Sequence, residues 1–194
     1  GKISTEAVNR CCENILNVVA WAAAHRDAPG DVYDRDLKIS QAAAEESFVL
    51  LKNDSGALPV TGEIALFGNG QVNTEYYPRG SGMVFVRDPV SIRDGIENCK
   101  KLKLNRHMKE LYGDCLQDYG GELNPKDDFY QFVPEIADIE ISAMTSRAAV
   151  IVITRGTTEG ADHRTGEGDY LLSARETELI ERVSEVFHAA GKTV

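Results

Sequence analysis

The sequence predicts an α/β fold, a three-layer α/β sandwich around a mostly parallel sheet. Three observations carry that expectation. Strand-length apolar runs at residues 64–67 and 148–153 alternate with segments whose apolar residues recur every three or four positions. The second run is apolar on both faces, as a strand inside a parallel sheet should be. Both runs feed glycine-rich loops at their carboxyl ends, where the chemistry of such sheets collects.

The elements follow in order. Ser4 or Thr5 can cap a first helix, and Glu6 suits its first turn through the helix dipole. Val8, Cys11, Cys12, Ile15, Val19 and Ala22 make its apolar stripe. Pro29, Gly30 and Asp31 end it, and residues 28–38, which show no period, read as a linker. A second helix is expected over residues 40–52, then a turn at Asn53-Asp54-Ser55-Gly56. The strand at 64–67 is broken by Gly68 and Gly70, opening a long loop over 68–89. A short helix at 90–99 precedes a longer one at 105–119, with Met108, Leu111, Tyr112, Cys115 and Leu116 on one face. After a loop at 120–134, a polar helix over 138–147 leads into the strand at 148–153. Residues 155–172 form another glycine-rich loop. Ser173 and Glu176 make a capping box for a helix that should bury Leu179, Ile180, Val183, Phe187 and Ala190. Gly191 ends it, and residues 192–194 begin a further strand. The sheet is therefore expected to be incomplete at its C-terminal end, with an open edge that invites association, for example as a homodimer.

Composition excludes several classes. The 194 residues amount to about one domain. With 31 acidic against 21 basic residues the net charge is −10, which disfavours a nucleic-acid partner. No apolar run approaches the ~18–20 residues of a membrane span. The four cysteines lack the spacing of a zinc site and read as buried free thiols, which favours a reducing, cytoplasmic setting. No metal or cofactor motif is present. The chain opens Gly1-Lys2-Ile3-Ser4, without an initiator methionine, as if cut from something longer, so its localisation stays unknown.

Two loops carry candidate chemistry. From Arg155 to Asp169 the chain crowds Glu159, Asp162, Glu167 and Asp169 together with His163, Arg155 and Arg164. Glycines flank Glu159 and Glu167, so the backbone there can turn tightly or let a ligand approach. Either carboxylate is a candidate general acid or base. Composition alone favours a solvated loop whose charges pair with one another. The other loop holds Arg79-Gly80-Ser81-Gly82, a turn that can present a hydroxyl and amides to a ligand or be an ordinary turn. It lacks the ending of a phosphate loop, and Gly68-Asn69-Gly70 is too little for a dinucleotide fingerprint. His163 beside Asp162 has no serine or cysteine placed to complete a triad.

In order, these pieces resemble glycoside hydrolase family 3, the β-glucosidase family. The opening Gly1-Lys2-Ile3-Ser4 and its helix look like the end of that family's barrel domain. Residues 42–53 (Ala-Ala-Ala-Glu-Glu-Ser-Phe-Val-Leu-Leu-Lys-Asn), followed by Leu58-Pro59, resemble the start of its second domain, and residues 64–70 that domain's first strand. Gly80-Ser81-Gly82 falls where the family has a glycine- and serine-rich loop. Glu159-Gly160-Ala161-Asp162, with residues 168–173 behind it, resembles the loop that carries the acid/base in one branch. The pattern departs at position 163, where His163 stands in place of an arginine and the adjacent Arg164 could substitute.

The resemblance implies residues 1–27 as the terminal helix of an absent barrel, 28–38 as linker and 39–194 as an incomplete α/β sandwich. It implies part of a retaining β-glycosidase acting on terminal β-D-glucosyl residues of a β-glucoside or oligosaccharide. Glu159 would be the general acid/base, and Ser81 would hydrogen-bond a sugar hydroxyl. The nucleophile, an aspartate, would lie on the barrel domain of the parent chain, so these residues alone would be inactive. No metal or cofactor is implied. The alternatives are a non-catalytic sugar-binding or interaction module, and a β-xylosidase or β-N-acetylglucosaminidase of the same family.

Overall fold

The computed structural model describes residues 2–26, 33–72, 74, 88–118, 131–155 and 164–194. The chain divides into two compact units, residues 1–52 and 53–194.

The first unit holds two helices. Helix α1 (Thr5–Ala24) starts where Ser4 accepts a hydrogen bond from the Ala7 N–H at 3.2 Å. At its other end the His25 N–H bonds the carbonyls of Trp21 and Ala22, and the His25 ring stacks on Trp21 with centroids 4.5 Å apart. The apolar stripe exists but nothing described covers it: α1 has no buried residue. The expectation of buried thiols is corrected accordingly, since Cys11 and Cys12 are exposed. Helix α2 (Tyr33–Ser47) begins inside the segment read as linker and stops before the apolar residues expected to close it. Asp34 and Asp36 occupy its first turn, where the dipole favours negative charge. The Ser47 hydroxyl turns back onto the Ala44 carbonyl at 2.8 Å, and residues 48–52 leave the helix with Phe48, Val49, Leu50 and Leu51 exposed.

The second unit is an α/β sandwich. Strands β1 (Gly62–Phe67), β2 (Leu102–Leu104) and β3 (Ala148–Ile151) form a parallel sheet in the order β2-β1-β3. Side chains on β1 alternate between its two faces, as a strand's period of two requires. Ala65 and Phe67 point to a core shared by three helices: α4 (Arg106–Asp118), α5 (Ile136–Thr145) and α6 (Ala174–Ala189). Ile64 and Leu66 point the other way, toward Leu104 and, from helix α3 (Ile92–Glu97), Ile96. Helices on both faces of the sheet make the three layers.

The helices form where their caps and stripes dictate. Ser91 and Asp94 build a capping box for α3, and Ser173 and Glu176 build one for α6. The Asn105 side chain caps α4 by accepting the Met108 N–H at 3.0 Å. On α6, Leu179, Val183 and Phe187 are fully buried one turn apart or nearly so, and Phe187 meets Phe67 edge to face at 6.0 Å. Ile180 is only half-buried, and Ala190 is exposed rather than buried, because it sits past the last helical turn. On α4, Met108 and Tyr112 are buried and Leu111 packs at the edge of the core; the side chains of Cys115 and Leu116 lie outside those described.

Strand β2 has no counterpart in the sequence reading. It is three residues long and carries Lys103 opposite Glu63 in register, joined by an ion pair at 3.3 Å. At the other end of the sheet, Thr193 forms a parallel bridge to Ala148, in the segment where a further strand was expected. Gly191, with φ of +69°, makes the turn into it. Among the described residues no helix is long and apolar enough to cross a membrane.

Candidate functional site

Strands β1 and β3 are adjacent and parallel, so their carboxyl ends and the loops that leave them start side by side. The ladder runs one bond past β3, with the Val152 N–H donating to the Phe67 carbonyl at 2.9 Å. Beyond it the two backbones nearly touch. A Cβ on Gly68 would lie 2.2 Å from the Val152 carbonyl oxygen, and one on Gly70 would lie 2.3 Å from Thr154 Cγ2. Gly68 also has φ of +90°, so both space and backbone conformation require glycine there. The two glycines that break the first strand in the sequence are what let the two loops begin in contact.

The start of the loop after β1 is anchored in the core. The Gly68 N–H donates to the buried Tyr112 hydroxyl at 2.8 Å. Residues Asn69–Gln71 make one 3-10 turn and are buried. Asn69 Oδ1 accepts the Phe132 N–H at 3.2 Å, and Gln71 Nε2 donates to the Leu66 carbonyl at 3.1 Å. Thr74 Oγ1 donates to the Gly70 carbonyl and accepts the Ile92 N–H, tying the turn to α3. Ser81, the expected sugar-binding residue, lies outside the described residues.

The loop after β3 is held at both described ends by one arginine. Arg155 follows Thr154, and its guanidinium reaches Glu176 in the first turn of α6 with two parallel bonds, one of them Nη2 to Oε2 at 2.8 Å. The same guanidinium donates to three carbonyls: Asp169, Thr154 at 2.8 Å and Leu171 at 3.4 Å. Glu176 is 3 % exposed. Burial by itself raises its carboxyl, but Arg155, the Ser173 N–H and the Ser173 hydroxyl together hold it below the usual range.

Residues 164–171 fold into a compact turn on this anchor. The Arg164 N–H donates to Asp169 Oδ2 at 2.7 Å, and Gly168, with φ of +75°, lets its own N–H reach the Leu171 carbonyl at 2.9 Å. Asp169 therefore shapes the turn, while Glu167 and the Arg164 side chain are exposed. Glu159, Asp162 and His163 lie outside the described residues. The sequence shows Glu176 as a cap but does not reveal the arginine–carboxylate anchor. Its only signal was an arginine just past a buried strand in a loop followed by a capping box.

Two other features sit elsewhere. Glu63, at the opposite end of β1, accepts Thr145 Oγ1 at 2.6 Å and Asn105 Nδ2 at 3.1 Å. The Thr145 bond, against a smaller effect of burial and with help from Lys103 and Asn105, lowers its carboxyl. A groove of about 440 Å³ runs over α5 and α6, lined by Ile136, Met144, Val186 and Ala189 among others, with none of its lining from the two loops. No cluster of His, Cys, Asp and Glu able to hold a metal occurs among the described residues.

Comparison with known proteins places this arrangement. Residues 48–194 match the profile of the glycosyl hydrolase family 3 C-terminal domain. The thermostable beta-glucosidase B of Acetivibrio thermocellus is 35% identical over 119 residues, 58% of this chain and 15% of that protein. The structure of beta-glucosidase 3B from Thermotoga neapolitana in complex with α-D-glucose superposes with a TM-score of 0.83 at 32% identity, over 99% of this chain and 28% of that one. A beta-glucosidase from Paenibacillus barengoltzii superposes with a TM-score of 0.71 at 25% identity, over 77% of this chain and 17% of its own. The chain thus spans less than a third of each of these proteins.

Proposed function

This chain belongs to glycosyl hydrolase family 3, and from that membership we propose that it is the acid/base-bearing part of a retaining β-glucosidase. In this reading Glu159, protonated, gives its proton to the leaving glycosidic oxygen while an aspartate of a barrel domain attacks the anomeric carbon. Glu159 then takes a proton from the water that releases the sugar. The two carboxyl groups stand ~5–5.5 Å apart in the assembled enzyme, the separation that retention requires. Ser81 hydrogen-bonds a hydroxyl of the bound sugar.

The observation that carries the reading is the pairing of the two loops. Residues 81 and 159 belong in sequence to the loops that leave adjacent parallel strands, and those loops begin in close approach, Gly68 against the Val152 backbone and Gly70 against the Thr154 side chain. The carboxyl edge of such a sheet is where ligands bind. Two β-glucosidases of known structure superpose on the chain, one of them solved with glucose.

The nucleophile is assigned to a barrel domain outside these residues. Residues 1–27 are read as the closing helix of that barrel and 39–194 as the α/β sandwich domain. The uncovered apolar stripe of α1, with Ile15 64% and Val19 58% exposed, suits a helix made to pack on such a domain. On this reading the 194 residues alone turn over no β-glucoside.

The test is Glu159→Ala in the full-length protein. The expected result is a loss of turnover on an aryl β-glucoside by about 10²–10⁴-fold, with partial rescue by azide. Unchanged turnover would instead favour a non-catalytic sugar-binding or interaction module.

A further inference from the structure

We infer that Arg155 is a positioning residue for the acid/base: its clamp on Glu176 and on the carbonyls of Asp169 and Leu171 sets the two ends of the loop containing Glu159. The inference rests on the reading of Glu159 given above, and the experiment below separates the two.

The clamp has the build of a fixed device. Arg155 stands at the carboxyl end of β3, one residue after Thr154, against whose side chain Gly70 packs. From there the guanidinium spans three pieces of chain. It meets Glu176 on α6 in a two-bond fork, a geometry that fixes orientation as well as distance. It also donates to the carbonyls of Asp169 and Leu171 in the returning arm of the loop. Its fifth tie, to the Thr154 carbonyl, locks the arginine to its own backbone. Glu176 is itself immobilised, since its carboxylate accepts the Ser173 N–H at 2.8 Å and its own N–H bonds Ser173 Oγ at 3.2 Å. The departing arm at 155 and the returning arm at 164–171 are thus joined to one partly buried ion pair at the start of α6.

The cation beside Glu176 keeps that buried carboxylate charged, against the effect of burial. What the guanidinium adds, and a lysine could not, is simultaneous donation in one plane to Glu176 and to the returning arm. A group acting as acid must be placed to within a fraction of an ångström to transfer its proton, and misplacement of about 1 Å can cost on the order of 100-fold.

The experiment compares full-length wild type, Arg155→Lys, Glu176→Gln and Glu159→Ala on aryl β-glucosides. One substrate has a leaving group that needs no protonation (2,4-dinitrophenol), and the other has one that does (phenol). For Arg155→Lys the account expects kcat/KM on the phenyl glucoside to fall about 10–100-fold, and on the dinitrophenyl glucoside by less than about threefold. Glu176→Gln keeps the carbonyl contacts of Arg155 and should show the same leaving-group dependence in weaker form. Circular dichroism establishes the folded fraction of each variant at the assay temperature, and rates are taken per folded enzyme. If Arg155→Lys and Glu176→Gln lower both substrates equally, or neither, while Glu159→Ala shows the leaving-group dependence, the positioning role is wrong and the acid/base assignment stands. If Glu159→Ala itself shows no such dependence, the acid/base assignment fails and the positioning role fails with it.

Discussion

Replacing Tyr112 by phenylalanine removes the bond that anchors the start of the loop after β1. The Tyr112 side chain is fully buried, and its hydroxyl accepts the Gly68 N–H at 2.8 Å. The substitution keeps the ring, so the edge-to-face contact with Phe132 at 5.2 Å persists and the volume lost is that of one oxygen. The hydroxyl also donates to the Phe132 carbonyl at 3.5 Å, but that carbonyl retains a donor, because Gln131 Nε2 reaches it at 2.9 Å. The Gly68 N–H is left buried without its acceptor, and an orphaned buried donor costs about 1–3 kcal/mol. At about 2–4 °C per kcal/mol for a chain of this size, Tm should fall by about 2–12 °C. Urea unfolding reads the free energy directly: the midpoint should drop with an unchanged slope, since the surface exposed on unfolding is the same. Hydrogen exchange at Gly68 should accelerate at the same time. A loss below about 0.5 kcal/mol would refute the claim that this bond secures the strand end, as would a changed slope with an unmoved midpoint.

Gly68→Ala should destabilise the chain by about 2–6 kcal/mol, combining left-handed backbone strain with a Cβ pressed to 2.2 Å from the Val152 carbonyl. Gly56→Ala, with φ of +66° but nothing within 4 Å, should cost only about 1–2 kcal/mol, and equal losses in a side-by-side urea titration would contradict the close-approach argument. Glu63 has a lowered carboxyl in the folded state, so its contribution is fully present above about pH 4.3, the unfolded value, and is lost as pH falls through the folded one. Thr145→Val removes the largest cause of that lowering; carboxyl NMR should show Glu63 titrating at higher pH, with acid unfolding setting in earlier.

How much of this was legible in the sequence depended on how local the signal was. The strands β1 and β3 announced themselves as apolar runs, and α6 as a capping box followed by Leu179, Val183 and Phe187 in register. Strand β2 did not, because a Leu-Lys-Leu triplet among lysines is too short to show a period and is fixed by its pairing with β1 across the sheet. Helix α2 was placed seven residues late. Its first turn is acidic rather than apolar, and the apolar residues that seemed to end it leave the helix uncovered. Cys11 and Cys12 sit on the apolar stripe of α1, a helix that has no buried residue, so the stripe misled the expectation of buried thiols.

The site divides along the same line. Glycines at 68 and 70 were visible as breaks, but their reason lies in Val152 and Thr154, more than eighty residues away in the chain. The Arg155–Glu176 clamp joins residues 21 positions apart, one past a strand and one in a helix, so no strand or helix period reveals it. Composition pointed to a solvated loop, yet at its base a half-buried Arg155 is paired with the buried Glu176. The residues alone made Glu159 and Ser81 candidates among others, and the family resemblance gave them their roles.

The most direct test of the central claim, that the carboxyl group at position 159 is the acid that protonates the departing sugar oxygen, is the pH dependence of kcat/KM in the full-length enzyme. Its alkaline limb reports the ionisation of the free enzyme's essential acid. Glu159→Gln should abolish that limb and leave the acidic one in place. An alkaline limb that survives unchanged in Glu159→Gln would assign the proton to another group.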